Sequence, residues 1–167
     1  LGRPMMGTIV EIEALHPEPE RARAGIRAAF DRMAKVDTLM SVQRPQSEIN
    51  RMSRLAAGGS VTVEADTYRV LTEAMALAAL TAGAVDVTIR PLMAVWERAT
   101  ARGRLPSPHE LDAALPLVDY RDVHLGPAPF TVSFGRAGMA LDLGGIAKGY
   151  AADRALAPPQ WCVGARF

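Results

Sequence analysis

Apolar residues recur along this chain at two different periods, and the points where the period changes divide it into elements. Over residues 5–15 they alternate with polar ones through Ile9, Glu11, Ile12 and Glu13, which predicts an edge or antiparallel strand ended by His16-Pro17. From Glu18 to Met40 the spacing becomes three and four. Ala22, Ile26, Ala29, Phe30, Met33, Val36 and Met40 share one stripe, the pattern of a long amphipathic helix. Ser47 followed by Glu48, Ile49, Met52 and Leu55 predicts a second, shorter helix closed by Gly58-Gly59, and residues 61–63 a brief strand. Helical spacing returns over residues 64–80, with Gly83 as its C-cap.

The second half reads in shorter pieces. Residues 84–88 are rich in Val and Thr and predict a strand. Pro91, Leu92, Val95 and Trp96 open a helix running to about residue 102, with Trp96 read as core. Residues 106–115 predict a helix-turn with Ser107 as N-cap and Pro108 in the first position. Residues 123–125, 130–134 and 138–143 predict three strands separated by Gly and Pro turns. Helices first and clustered strands later argue for an α+β fold, an antiparallel sheet layered with helices. There is no internal repeat and no low-complexity linker.

At 167 residues and 49% hydrophobic composition the chain is long enough for about one domain with a real core. Nineteen basic and eighteen acidic side chains are interspersed, giving a net charge of +1, so the basic footprint of a nucleic-acid binder is missing. Cys162 is the sole cysteine, which excludes an intramolecular disulfide and a cysteine-based zinc site. No apolar run approaches the roughly 20 residues that span a bilayer, and no leader pattern opens at Leu1. The expectation is that any export signal has been removed or was never part of this sequence.

Chemistry concentrates at residues 140–153, where an apolar segment turns through Gly144 and Gly145 into a helix bearing Lys148. One reading is an anion cradle. The first helical N–H groups lack intrahelical acceptors, the helix dipole is positive there, and glycines let a phosphate approach the backbone. Lys148, about one turn on, adds a full charge, and Asp142 offers an acceptor to ribose, to a ring N–H or to a metal. The other reading is an ordinary helix start with an aspartate cap and a solvent-facing lysine. Asp86, between Val85 and Val87, is either an exposed acid or a ligand contact, and Thr88 a cap for the helix after it. Without further information Met5 and Met6 read as core filler. His16, His109 and His124 have no zinc or triad spacing, and Ser41 and Ser47 lack a motif-spaced base.

Four segments together are more specific than any one alone. Met6-Gly7-Thr8, then Met40-Ser41 with Ser47-Glu48-Ile49-Asn50, then Gly83-Ala84-Val85-Asp86-Val87-Thr88 before Pro91 and Trp96, then Asp142-Leu143-Gly144-Gly145-Ile146-Ala147-Lys148-Gly149 resemble, in this order, the ApbE family. These are FAD:protein FMN transferases. The likeness runs from about Arg3 to Leu156 and implies an ApbE-like, T-fold-like architecture. It also implies a magnesium-dependent enzyme that cleaves the pyrophosphate of FAD. The FMN portion goes to a threonine or serine hydroxyl of a target flavoprotein, and AMP is released. Carried across by position, Met6, Ala84, Val85, Asp86, Asp142 and Lys148 match contacts to FAD, and Gly145 matches a magnesium ligand, which a glycine could be only through its carbonyl. Membership further implies an exported protein, held at the periplasmic face of the bacterial inner membrane by a lipid on an N-terminal cysteine.

Three departures stand beside the likeness. Gln43 occupies the place of a flavin-stacking tyrosine, a contact worth about 1 kcal/mol. The family's aspartate-rich metal segment with a threonine has no counterpart before Phe167. Beyond Leu156 the chain meets Pro158-Pro159, a helix stop, and then a stretch unlike the family. The expectation is therefore residues 1–157 as the N-terminal part of one C-terminally truncated flavin transferase domain, and 158–167 as an atypical tail from a frame shift, early stop or shortened gene. Two other readings are a non-catalytic flavin-binding accessory protein for maturation of a membrane redox complex, and a non-flavin nucleotide enzyme sharing only the glycine turn.

Overall fold

A computed structural model of the protein describes residues 1–156 throughout and the backbone of 162–166. The alternating N-terminal segment forms two strands, β1 (Gly2–Met5) and β2 (Thr8–Leu15), paired antiparallel with Met5 opposite Thr8. The connection is a two-residue turn with both residues left-handed, Met6 at φ 53° and Gly7 at φ 74°. The single strand expected over 5–15 is thus a hairpin, and Met6 belongs to its turn. Val10 and Ile12 are fully buried on the inner face of β2 while Glu11 and Glu13 face out.

That inner face is covered by α1 (Pro19–Met40), whose buried stripe of Ile26, Ala29, Phe30, Met33, Val36 and Met40 follows the helical spacing. Next come α2 (Glu48–Leu55), β3 (Val61–Thr62) and α3 (Ala65–Leu80). The Ser47 hydroxyl accepts from the Asn50 N–H at the start of α2, as an N-cap should. At the end of α3, Ala82 (φ 51°) and Gly83 (φ 84°) turn left-handed and the Gly83 N–H donates to the Ala78 carbonyl.

Residues 84–88 are not the expected strand. They form a turn running into a 3-10 turn, Val87–Ile89, because Asp86 caps it and bends the chain. From there α4 (Arg90–Ala101) begins, followed by α5 (Pro108–Ala114), which is held by a capping box between Ser107 and Glu110. Trp96 on α4 is 47% exposed, so its assignment to the core is corrected: Val95 and Ala99 are the residues of α4 that point inward.

The strands β4 (Val123–Gly126) and β5 (Thr131–Phe134) pair antiparallel, and β3 joins the other edge of β5. Residues 138–143, expected as a third strand, begin in a turn at Gly138 and join no ladder. Their alternation is real, since Met139, Leu141 and Leu143 are buried, but the Asp142 N–H goes to the Val87 carbonyl of the 3-10 turn instead of to a strand. The segment leads into α6 (Ala147–Leu156), which packs along α1. Finally β6 (Cys162–Arg166) pairs antiparallel with β2, Glu11 opposite Arg166, completing a sheet ordered β1-β2-β6. Pro158-Pro159, expected to stop the last helix, lie outside the described residues.

Among the described residues the strands form two small antiparallel sheets, and one buried cluster runs through Val10, Phe30, Ile49, Leu71, Val132 and Leu141. One polar knot ties the helices together: Tyr150 of α6 donates to Asp66 of α3 (2.6 Å), which also pairs with Lys35 of α1 (3.2 Å).

Candidate functional site

Where the β1–β2 turn, the C-terminal end of α1, the start of α4 and the glycine turn before α6 converge, they enclose a cleft of about 490 Å³. Met6, Asp142, Gly144 and Lys148 line it, with Gln43, Arg90 and Glu97. A second, more apolar hollow of about 290 Å³ adjoins it, lined by Leu77, Val85, Asp86, Ile89 and Gly145 among others. Met93, Asp142 and Gly144 belong to both walls. Six of the seven residues singled out in the sequence thus border one double groove. Ala84 lines neither hollow and is exposed on the turn after α3.

The glycine turn is built differently from a bare anion cradle. Asp142 Oδ1 accepts the Gly144 N–H (2.8 Å), and the Leu143 carbonyl accepts both the Ile146 (3.0 Å) and the Ala147 N–H (2.7 Å). Three of the donors expected to face a phosphate are therefore taken within the turn, and that expectation is corrected. Neither Gly144 nor Gly145 is left-handed, and a Cβ on Gly145 would meet nothing within 4 Å. The open wall and the lysine remain. Lys148 Nζ donates to the Gly144 carbonyl (2.7 Å), which fixes the ammonium against the turn and leaves its two other N–H groups for a ligand.

Asp86 is more occupied than its sequence context indicated. Its Oδ1 accepts the Thr88 N–H (2.8 Å) and hydroxyl (2.7 Å), and its Oδ2 accepts the Tyr120 N–H (2.9 Å). Both oxygens hold the wall of the smaller hollow in place, and Thr88, read as a possible cap, is the fully buried donor to that carboxylate. Three groups at the cleft were not singled out in the sequence. Asp37, buried on the apolar stripe of α1, pairs with Arg44 (2.6 Å). An acid inside an otherwise apolar helical stripe was the signal. Arg90 and Glu97 form a bidentate pair (2.5 and 2.8 Å) across two turns of α4. Hydrogen bonding to Arg90 holds the Glu97 carboxyl below the usual carboxylate range. The same bond, with a smaller contribution from Asp142, raises the guanidinium further.

Magnesium takes about six oxygen ligands in near-octahedral array. Here the Asp86 oxygens and Asp142 Oδ1 already accept N–H or O–H donors, and among the described residues no group of three His, Cys, Asp or Glu is placed to hold a metal. The Gly145 carbonyl alone does not make a site for the ion.

The ApbE family model matches residues 6–158, and the chain belongs to that family. It is 30% identical over 156 residues to the FAD:protein FMN transferase of Treponema pallidum, covering 90% of this chain and 43% of that protein. It is 31% identical over 156 residues to the enzyme of the same name from Vibrio cholerae, covering 92% of this chain and 46% of that one. Among solved structures, the ApbE protein of Thermotoga maritima superposes with a TM-score of 0.83 at 30% identity, over 93% of this chain and 50% of that one. The mixed helix and antiparallel-sheet fold is therefore that of ApbE proteins, and the chain spans about half the length of the curated relatives it matches.

Proposed function

We propose that this chain forms the FAD-holding side of a transferase that moves FMN from FAD to a threonine or serine hydroxyl of a target flavoprotein. The observation that carries the reading is the double groove. It brings Met6, Val85, Asp86, Asp142, Gly145 and Lys148 to one place from three separate segments, with a charged half beside an apolar half. A dinucleotide made of a flat ring, a diphosphate and a second nucleoside asks for both. The names of the relatives support flavin transfer as the reaction class.

In the reaction, the acceptor hydroxyl oxygen bonds to the FMN phosphorus, the phosphoanhydride bond to AMP breaks, and the hydroxyl proton is released. Such a transfer is catalysed mainly by positioning and by neutralising charge on the phosphoryl oxygens. Lys148 supplies charge from a fixed position, and the Met6 turn and the Asp86 segment form the walls that orient the ligand. Magnesium dependence and periplasmic, membrane-attached placement belong to the proposal as family expectations. No described helix is long and apolar enough to cross a membrane.

The test mixes the purified chain with FAD, magnesium and a peptide bearing an acceptor threonine. AMP release with flavin covalently on the peptide supports the transferase. FAD binding without AMP would replace it with the accessory reading, and no FAD binding would remove both.

A further inference from the structure

Arg90 stands out in the cleft because its position works against the helix that carries it. As the first residue of α4 it places a cation where the helix dipole is already positive, which disfavours the helix. Its side chain is only 26% exposed, so it is largely withdrawn from water as well. The fork is nevertheless held firmly, since both terminal nitrogens donate to the two oxygens of Glu97, itself a cleft residue. A guanidinium carries five N–H donors. Two are taken by Glu97, and three remain for a ligand.

Lys148 on α6 lines the same cleft as Arg90, together with Asp142 and Gly144. Arg90 and Lys148 are the two basic residues of this cleft among the described residues, and they come from different helices. Their pairings differ in a useful way: Lys148 is fixed to a backbone carbonyl, Arg90 to a half-exposed carboxylate. An arriving phosphate finds one point charge and one planar fork, the pair that suits a diphosphate with two anionic groups.

We propose that Arg90 is a positioning residue for the diphosphate of the ligand, held ready by Glu97 and acting with Lys148. The proposal rests on the FAD reading above and names a group in that site that none of the sequence signals indicated. It assigns to Arg90 the recognition of phosphate and not of the ring.

The experiment measures the affinity of the whole chain for FAD, ADP and riboflavin by equilibrium titration, in the parent protein, Arg90→Gln and Arg90→Lys. Arg90→Gln is expected to weaken FAD and ADP about tenfold or more, the usual effect of losing charge-assisted hydrogen bonds, and to leave riboflavin unchanged. Arg90→Lys should restore part of the loss, because it keeps the charge without the fork. Equal weakening of all three ligands would assign Arg90 a merely structural role and overturn the proposal, as would an unchanged FAD affinity. Should Arg90→Gln not fold, Arg90→Lys alone decides: a loss for FAD and ADP that spares riboflavin supports the assignment, and no loss for FAD and ADP overturns it. A parent protein that binds none of the three removes the FAD reading itself, and this proposal with it. Tight FAD binding indifferent to Arg90 leaves the reading intact while sinking the proposal.

Discussion

At the scale of single residues, Gly145 and Asp86 illustrate how alike two candidate positions look in sequence and how differently they behave in the fold. Gly145 borders the apolar hollow, and a methyl group there would touch nothing within 4 Å. Gly145→Ala should therefore keep or raise thermal stability, by up to about 1 kcal/mol through the unfolded chain, while lowering FAD affinity if the ligand lies against that wall. A melting curve and a titration on the same sample separate the two effects, and unchanged affinity would move the ligand away from Gly145. Asp86→Ala is the opposite case. It would leave the Tyr120 and Thr88 donors without their acceptor, at a cost of about 1–3 kcal/mol, so any loss of binding would come with a lower melting temperature. The sequence could mark Asp86 as polar between valines, but nothing in it foretold the Tyr120 donor, which lies 34 residues away.

At the scale of elements, periodicity carried the long helices and failed where the chain is held by single contacts. The stripe on α1 and the caps at Gly83 and Ser107 were legible because each depends on residues a few positions apart. Residues 138–143 alternate as a strand does, yet the Asp142 N–H goes to the Val87 carbonyl, a distant fact that no local pattern encodes. The same holds for the site: the glycine turn and Lys148 were visible, whereas the place of Arg90 in the same cleft came only with the fold. Leu141 and Leu143 anchor residues 138–143 with side chains fully out of water. Leu141→Ala should lower stability by about 2–5 kcal/mol, readable in chemical denaturation. A change below about 1 kcal/mol would show that the segment does not depend on this anchor.

At the scale of the whole molecule, the knot at Asp66 couples helices far apart in sequence and gives the fold a signature in pH. Burial raises the Asp66 carboxyl, but the Tyr150 hydroxyl, Lys35 and Arg154 outweigh it and hold the group below its ordinary 3.8. Its stabilising contribution is present above that value and is lost as acid protonates it in the folded state. Tyr150 is pushed up to about 12, first by burial and then by its bond to Asp66. Because the folded value lies above the ordinary 10.0, its contribution is complete below pH 10.0 and disappears as pH rises toward about 12. Tyr150→Phe should melt a few degrees lower at neutral pH, about 2–4 °C for each kcal/mol lost in a chain of this size. The difference from the parent should shrink above pH 10.0. A difference that stays constant across the alkaline range would show that the tyrosine does not titrate as its surroundings dictate.

The backbone bond from Asp142 to Val87 has a practical consequence for anyone recombining this fold with its relatives. Because that bond joins the two stretches bordering both hollows, a chimaera that exchanges one stretch alone inherits a mismatched seam. Crossovers that transplant residues 84–90 and 138–148 as a unit should give chimaeras that retain dinucleotide affinity.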